Sequence, residues 1–244
     1  MPVVKLTLSY DGTDYHGWQK QPRLPTIQGR METALYQLTR QRLAVHGAGR
    51  TDAGVHALGQ VAHFLSDRSF QPKDWIRGIN ALLPEDIVIR AAEVAKDRFH
   101  ARHSAKNKQY RYLIRNAELP SPFDRRTKWF LRQTLDVDGM SQAAEGFRGA
   151  HVFTSFCAAG AETDDHHVDL KRVDLIQRED EIAVILEAPR FLQYMVRNIV
   201  GFLVEVGKGK RGPGEVSDIL AAKDRRRAGP TAPSHGLCLM KVDY

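Results

Sequence analysis

The feature that most constrains the fold is that strand-like and helix-like hydrophobic patterns follow one another along the whole chain. Residues 4–10 carry apolar side chains at every second position, which is typical of a half-buried strand that ends in the turn at Asp11 and Gly12. After Thr26, an N-cap candidate, residues 27–38 repeat their apolar side chains at helical spacing. Because both periods recur in each half of the sequence, we expect an α+β fold.

The remaining segments continue this mixture to residue 242. Strand patterns occur at 61–66, 87–91, 110–114, 168–175, 182–186 and 237–242, and helix patterns at 72–82, 140–147, 191–206 and 213–220. A turn-rich stretch with Pro120 and Pro122 lies between two comparable halves. We therefore expect an N-terminal lobe over 1–105 and a C-terminal lobe over 106–244, although a single two-lobed unit would give the same pattern.

The composition is that of a folded protein without membrane spans. Hydrophobic residues make up 42% of the 244 residues and charged residues 27%, which argues against disorder. No apolar run approaches the roughly 18 residues that a bilayer span needs, and the N-terminus does not resemble a signal peptide. We expect a cytoplasmic protein. Its two cysteines, Cys157 and Cys238, form no metal or redox motif and are interpreted as buried packing residues.

The charge balance favours a polyanionic partner without requiring one. Thirty-six Lys and Arg against 29 Asp and Glu give a net charge of +7, as in many proteins that bind nucleic acid. A solvated basic surface would give the same number.

One short glycine-rich segment, residues 47–56 (GAGRTDAGVH), is the best candidate for chemistry. Such a loop permits a close approach of backbone to ligand. A dinucleotide motif would need glycine where Asp52 stands, and a phosphate-binding P-loop would need lysine where Val55 stands. On residue types alone, the favoured interpretation is a structural turn in which Asp52 caps a backbone amide.

The wider pattern resembles the bacterial TruA-type tRNA pseudouridine synthases. The similar motifs occur in order along nearly the whole chain: YDGTDYHGWQKQ at 10–21, GRTDAGVH at 49–56, FHAR at 99–102, KQYRY at 108–112, FLQYMVRNIVG at 191–201 and APSHGL at 232–237. Phe202 stands where the family often has threonine, and residues 163–167 (TDDHH) match none of its motifs.

The resemblance implies a pseudouridine synthase fold, with two similar mixed lobes whose antiparallel sheets flank a central active-site cleft. It implies isomerisation of uridine to pseudouridine at positions 38, 39 and 40 of the tRNA anticodon stem-loop by a homodimer that uses no cofactor and no metal. Asp52 would be the catalytic carboxylate. Burial favours protonation of a carboxylate unless a cation is near, and Arg197 would supply that charge. Tyr110 would stack on the extruded uracil or remove a proton.

Binding of the RNA would involve further residues. We assign Arg50, Thr51, His56 and Arg102 to substrate binding together with Tyr110, since a guanidinium can hold a phosphate with two hydrogen bonds. Basic clusters would contact the RNA backbone elsewhere, and they are Arg98 with Arg102, Arg111 and Arg115; Arg125 with Arg126 and Lys128; and Lys208, Lys210 and Arg211 with residues 225–227.

Other function classes stay open at this point. A non-catalytic RNA-binding or RNA-folding protein would keep the basic surface without needing Asp52, and a synthase acting on another RNA would keep the same catalytic residues. A metal-dependent hydrolase at His100 and His103, or at His166 and His167, is the least favoured alternative, because no third ligand is in pattern.

Overall fold

The computed structural model describes residues 1–160 and 163–244, and this part of the chain contains five α-helices and eleven strands. The helices are α1 (Ile27–Thr39), α2 (Pro72–Asn80), α3 (Val137–Glu145), α4 (Met195–Gly207) and α5 (Val216–Ala222). The strands are β1 (Val3–Tyr10), β2 (His46–Gly47), β3 (His56–Leu65), β4 (Ile87–Ala95), β5 (Asn107–Asn116), β6 (Trp129–Leu131), β7 (Gly149–Val152), β8 (His167–Leu170), β9 (Arg172–Arg178), β10 (Glu181–Ala188) and β11 (Leu237–Asp243). The α+β class that the sequence predicts is confirmed.

The chain divides into two compact units. The first comprises Met1–Lys106 together with Cys238–Tyr244, and the second comprises Asn107–Leu237. The sequence-based division assigns residues 238–244 to the C-terminal lobe, but these residues return to the first unit. They do so because β11 pairs in parallel with β3, with Cys238 opposite His56.

In the first unit, β1 lies between β3 and β4 and is antiparallel to both. The short β2 also pairs with β3 and brings His46 opposite His63. Every second side chain of β1 is buried, from Val4 to Tyr10, as period-two alternation predicts. Helix α2 is joined to β4 through Asn80, whose side-chain amide donates to the Ile89 carbonyl and accepts from the Ile89 amide.

In the second unit, β10 lies between β5 and β9 in an antiparallel arrangement, while β6 adds to β5 in parallel. Strands β7 and β8 form a separate antiparallel pair. Helix α4 is buried on nearly all sides. Phe202 on this helix meets Phe147 and Phe156 edge-on at centroid distances of 5.8 and 6.0 Å, so the residue that departs from the family pattern is part of an aromatic core.

Two sequence predictions need correction. The single strand expected over 168–175 is two strands separated at Lys171, because β8 pairs with β7 whereas β9 pairs with β10. The helix expected from Phe191 begins only at Met195, because Tyr194 has a left-handed backbone conformation with φ of 62°, which an α-helix cannot include. Cys157 is buried as expected, whereas Cys238 is only partly buried.

None of the helices in the described part of the chain has the length and apolarity that crossing a bilayer requires.

The N-cap of α1 gives a direct test of how this helix is stabilised. The Thr26 hydroxyl accepts a hydrogen bond from the Gly29 amide, so Thr26→Ala should lower the free energy of unfolding by about 1 kcal/mol. Urea denaturation measures the change. Thr33→Ala is the control, because the Thr33 hydroxyl is exposed and donates to the Gly29 carbonyl within the helix; an equal loss in both variants would contradict the capping role.

Candidate active site

The loop that carries Asp52 connects β2 to β3 and is held as a turn by its own backbone. The Val55 amide donates to the Asp52 carbonyl at 3.1 Å, and the Gly54 amide donates to the Tyr15 carbonyl at 3.2 Å. Gly54 has φ of +77°, a conformation that glycine adopts without steric cost. Asp52 therefore stands at the start of a turn whose backbone is fixed from both sides, with its side chain partly exposed.

The first motif of the chain packs directly against this loop. The Trp18 amide donates to the Thr51 carbonyl at 2.9 Å. At Gly17, with φ of +86°, a Cβ atom would lie 2.5 Å from the Thr51 carbonyl oxygen. Only glycine permits this approach of the two backbones, so residues 10–21 and 49–56 form one structural unit.

The buried Tyr10 supports the Asp52 loop through hydrogen bonds. The Tyr10 hydroxyl lies 2.8 Å from the Thr51 hydroxyl, and the Gln60 side-chain amide donates to both the Tyr10 hydroxyl and the Gly49 carbonyl. Burial raises the pKa of Tyr10 above its ordinary value, so its hydroxyl stays protonated. Thr51 itself is 5% exposed, which makes it a support for the loop as well as a predicted substrate contact.

His56 ends the loop and holds the turn that follows β1. Its Nδ1 accepts a hydrogen bond from the Gly12 amide at 3.1 Å, and the Asp11 carboxylate lies at the same distance from that nitrogen. The ring is 7% exposed. Sequence reasoning assigns His56 to substrate binding, and the structure adds a structural contact that the sequence did not indicate.

The two predicted arginines of the first unit have exposed side chains. Arg50 lies in the Asp52 loop, and Arg102 lies in a separate turn between β4 and β5. Exposure of this kind suits contact with a phosphate in solvent.

In the second unit, Tyr110 lies on β5 with 7% of its surface exposed. Its ring meets the Phe191 ring edge-on, at 5.0 Å between centroids, and Tyr110 stands opposite Leu186 of β10. This packing holds the aromatic ring in one orientation, as a stacking residue requires.

Arg197 lies in the first turns of α4, and the segment after α5 fixes its direction. Its Nε donates to the Ala232 carbonyl at 2.8 Å, and the Ala232 amide donates to the Arg197 carbonyl at 3.0 Å. The guanidinium carbon lies 5.0 Å from the centroid of the Tyr194 ring. The pKa of Tyr112 is raised by burial and lowered in smaller measure by the charge of Arg197.

The same segment crosses α4 at Gly201. A Cβ atom at this position would lie 1.9 Å from the Pro230 carbonyl oxygen, so the approach of residues 230–232 to the helix requires glycine. The motifs at 191–201 and 232–237 thus form one packed arrangement, in which the contact between Ala232 and Arg197 is the central feature.

Several members of the predicted RNA-binding clusters pair with acidic residues. Arg115 bonds Asp180, and Lys128 bonds Glu181. Arg225 donates to the Gly229 carbonyl and to side chains within its own unit, which gives it a structural role that the sequence did not indicate.

The histidine pairs considered as metal sites do not form one among the residues that the structure describes, where no group of three or more His, Cys, Asp or Glu side chains is arranged to hold an ion. In the 163–167 segment, Asp165 pairs with Arg190 and with His167, and His166 lies 3.0 Å from the Thr154 hydroxyl. These contacts join the segment to its own unit.

Comparison with known proteins identifies the family. The sequence profile of the family described as tRNA pseudouridine synthase matches residues 7–104 and 143–244. The chain therefore belongs to the tRNA pseudouridine synthase family, a family of isomerases.

Full-length relatives have the same family name. The chain is 46% identical to a protein of Moorella thermoacetica over 100% of both sequences. It is 45% identical to one of Myxococcus xanthus over 100% of this chain and 92% of the relative, and 43% identical to one of Bacillus subtilis over 99% and 98%. Each of these relatives is named tRNA pseudouridine synthase A.

Sequence reasoning missed the supporting role of Gln60, and it also missed the contact of Ala232 with Arg197 although Ala232 lies in a quoted motif. Tyr10 stood inside a recognised motif, but its hydroxyl had no assigned partner. Gln60 gave a weak signal, because a polar residue within an apolar strand pattern is expected to need a hydrogen bond when buried.

Removal of the Tyr10 hydroxyl should destabilise the protein. In Tyr10→Phe the Thr51 hydroxyl and the Gln60 amide lose a buried partner, and we expect the free energy of unfolding to fall by about 1 to 2 kcal/mol. Denaturant titration measures this. Tyr36→Phe is the control, because Tyr36 is 46% exposed; equal stability of wild type and Tyr10→Phe would contradict the supporting role.

Gly201→Ala should be more damaging, because backbone must move to admit the methyl group. We expect a loss of about 2 kcal/mol or more in unfolding free energy, measured by thermal and urea denaturation. At Gly214 an added Cβ would meet nothing within 4 Å, so Gly214→Ala serves as control. Comparable stability of the two variants would show that the 230–232 segment does not need its close contact with α4.

Proposed function

We propose that this protein isomerises uridine to pseudouridine at positions 38, 39 and 40 of the tRNA anticodon stem-loop. In this reaction the bond from uracil N1 to C1′ breaks, the base turns, and a bond from C5 to C1′ forms while C5 loses a proton and N1 gains one. Nothing is oxidised and no group leaves. The observation that carries the proposal is the intact GRTDAGVH loop around Asp52, in a chain that matches named synthases over its full length.

Asp52 is the proposed catalytic residue. Attack on C1′ and addition to the uracil ring both require a carboxylate nucleophile. The fixed backbone of its loop supports this role, since catalytic groups must be held near their productive positions before substrate arrives. The contacts of Trp18 and Tyr10 with Thr51 hold the residue immediately before Asp52.

Arg197 and Tyr110 are the other proposed catalytic residues. Arg197 keeps the carboxylate of Asp52 ionised, and Tyr110 either stacks on the extruded uracil or removes the C5 proton. The hydrogen bond from Arg197 Nε to Ala232 and the packing of Tyr110 against Phe191 support these roles, because both side chains are oriented by protein contacts.

Binding has to offset the cost of extracting a stacked uridine, which is a few kcal/mol. Phosphate contacts by basic side chains supply favourable free energy without base specificity. The exposed Arg50 and Arg102 suit this purpose, as does the net charge of +7. Thr51 and His56 complete the proposed substrate contacts.

The proposed active form is a homodimer in the cytoplasm, as the resemblance to the family implies. Light scattering after size-exclusion chromatography distinguishes the dimer from a monomer of 27.5 kDa.

Asp52→Asn tests the chemistry separately from binding. Turnover should fall by about 10³-fold or more because the nucleophile is lost, whereas the Kd for tRNA should stay within about threefold because phosphate contacts dominate affinity. Pseudouridine is mapped by carbodiimide-blocked primer extension on an unmodified tRNA transcript, in buffer with EDTA and no added nucleotide. Asp67→Asn is the matched control, an exposed carboxylate on the connection that follows β3.

The positions of the primer-extension stops distinguish the proposed activity from a synthase acting on another RNA and from an RNA-binding protein. Stops at 38 to 40 with wild type and Asp67→Asn alone would support the proposal. Stops at other positions would contradict the assigned site, and tight, salt-sensitive binding without any stops would favour another RNA substrate or a binding protein. Parallel loss of binding and turnover in Asp52→Asn would contradict the division of roles.

A further inference from the structure

Four histidines of the first unit form a cluster that the proposed reaction does not use. His46 of β2 stacks on His63 of β3 with 5.1 Å between ring centroids. His63 meets His100 at 4.6 Å, and His100 meets His103 at 4.3 Å. The last two histidines belong to the turn that carries Arg102, so the cluster joins this turn to the sheet.

Two of these rings accept hydrogen bonds from the backbone of the turn. The Ala101 amide donates to His63 Nδ1 at 3.1 Å. The amides of Arg102 and His103 donate to His100 Nδ1 at 3.1 and 3.3 Å. A nitrogen that accepts a hydrogen bond has no proton, so each neutral ring must carry its proton on Nε2. Three consecutive amides centred on Arg102 are therefore held by unprotonated Nδ1 atoms.

Other contacts complete this support. The Tyr244 hydroxyl donates to the Ala101 carbonyl at 2.8 Å, and Ala101 is buried against Ala48 and Val61. The Arg102 side chain is exposed. The backbone of the turn is thus fixed while its guanidinium faces solvent.

We propose that His63 and His100, as neutral rings protonated on Nε2, are positioning residues that hold the 100–103 turn so that Arg102 contacts a backbone phosphate of the RNA. The assignment rests on the proposed function, since it takes RNA as the ligand of Arg102. It assigns to the two histidines a role in substrate affinity that does not involve contact with the substrate.

The surroundings keep these rings neutral. Burial lowers the pKa of His63 to about 4, helped by the proximity of His100 and His46. Burial also lowers the pKa of His100, helped by His103, His46 and Arg102. The other charged or titratable groups at this site are Lys5, which stands opposite His63 and lies over the Phe99 and Tyr244 rings, its ion-pair partner Glu93, and Tyr244.

The sign of the pH dependence follows from these shifts. A His63 ring released from the turn binds a proton more tightly than the same ring held in the turn. The stability that His63 gives to the closed turn is therefore fully present above about pH 6.5 and is lost as the pH falls toward 4. For His63 alone, the equilibrium for opening the turn rises about tenfold per pH unit in that window. A histidine that contacted RNA directly would act in the opposite direction, because its positive charge would strengthen binding to a polyanion.

The first test is a double-mutant cycle on tRNA affinity. Arg102→Ala should raise the Kd about tenfold and reduce the slope of log Kd against log salt by about one phosphate contact. His63→Leu removes the acceptor and should produce the same changes. The double variant should bind no more than about twofold weaker than Arg102→Ala, because residues that act through one contact are not additive.

Conservative replacements separate positioning from general damage to the fold. In His63→Asn and His100→Asn, the side-chain oxygen takes the place of Nδ1 and cannot be protonated near neutral pH. His63→Asn should recover most of the tRNA affinity that is lost in His63→Leu, and His100→Asn most of the affinity that is lost in His100→Leu. His167→Leu, at a histidine whose side chain is 79% exposed in the second unit, is the matched control and should bind as wild type does.

A second test uses the free protein and no RNA. Nitrogen-15 spectra of the histidines should show His63 and His100 with the proton on Nε2. Hydrogen exchange of the amides at 101–103, corrected for intrinsic rates, should lose protection as the pH falls from 6.5 toward 4 in wild type. His63→Asn should reduce this loss.

The outcomes distinguish this proposal from the proposed function. Normal pseudouridine formation by wild type, with an unchanged Kd for Arg102→Ala or additive effects in the cycle, would overturn the positioning role alone. A proton on Nδ1 of either ring would also overturn it. Failure of wild type to bind or modify tRNA, with the expected tautomers present, would overturn the proposed function and the RNA contact together.

Discussion

The close approach of the Gly17–Trp18 backbone to the Thr51 carbonyl is the contact on which the candidate site residues of the Asp52 loop depend. It joins the turn after β1 to the loop before β3, so that a loop that is short of apolar side chains is held by backbone hydrogen bonds and by the Tyr10 hydroxyl beneath it. Buried polar groups that are all paired favour a single arrangement. The proposed role of Asp52 would benefit from this single arrangement, because the backbone of its loop does not need to be ordered when substrate binds.

In the second unit, different contacts hold a proposed catalytic side chain, that of Arg197, in a fixed position. Arg197 lies on a helix that is buried on nearly all sides, and a returning segment crosses that helix where Gly201 leaves room. Reciprocal hydrogen bonds with Ala232 then hold the arginine at both its backbone and its Nε. In both units, a glycine permits two backbones to meet, and the proposed catalytic side chain lies within four residues of the contact.

Much of the fold could be predicted from periodicity, because β1 and β5 bury every second residue and α1 buries residues at helical spacing. The break at Lys171 and the late start of α4 could not. The first follows from a change of strand partner and the second from the left-handed conformation of Tyr194, and hydrophobic patterns record neither. Asp52 and Arg197 are proposed as catalytic residues through motifs. The hydrogen bonds of Gln60 with the Asp52 loop and of Ala232 with Arg197 were missed, because a hydrogen bond between distant residues leaves no periodic signal in one sequence. The cluster of His46, His63 and His100 was missed for the same reason.

The return of β11 to the first unit has a consequence for how the protein is made. Strand β3 leaves the ribosome early, but its parallel partner is synthesised only after the whole of the second unit. Domains generally fold as units in the order of their synthesis, and here that order is interrupted. Synthesis of the second unit therefore ends before synthesis of the first unit is complete. Strand β11 can pair with β3 only after the residues of the second unit have been made.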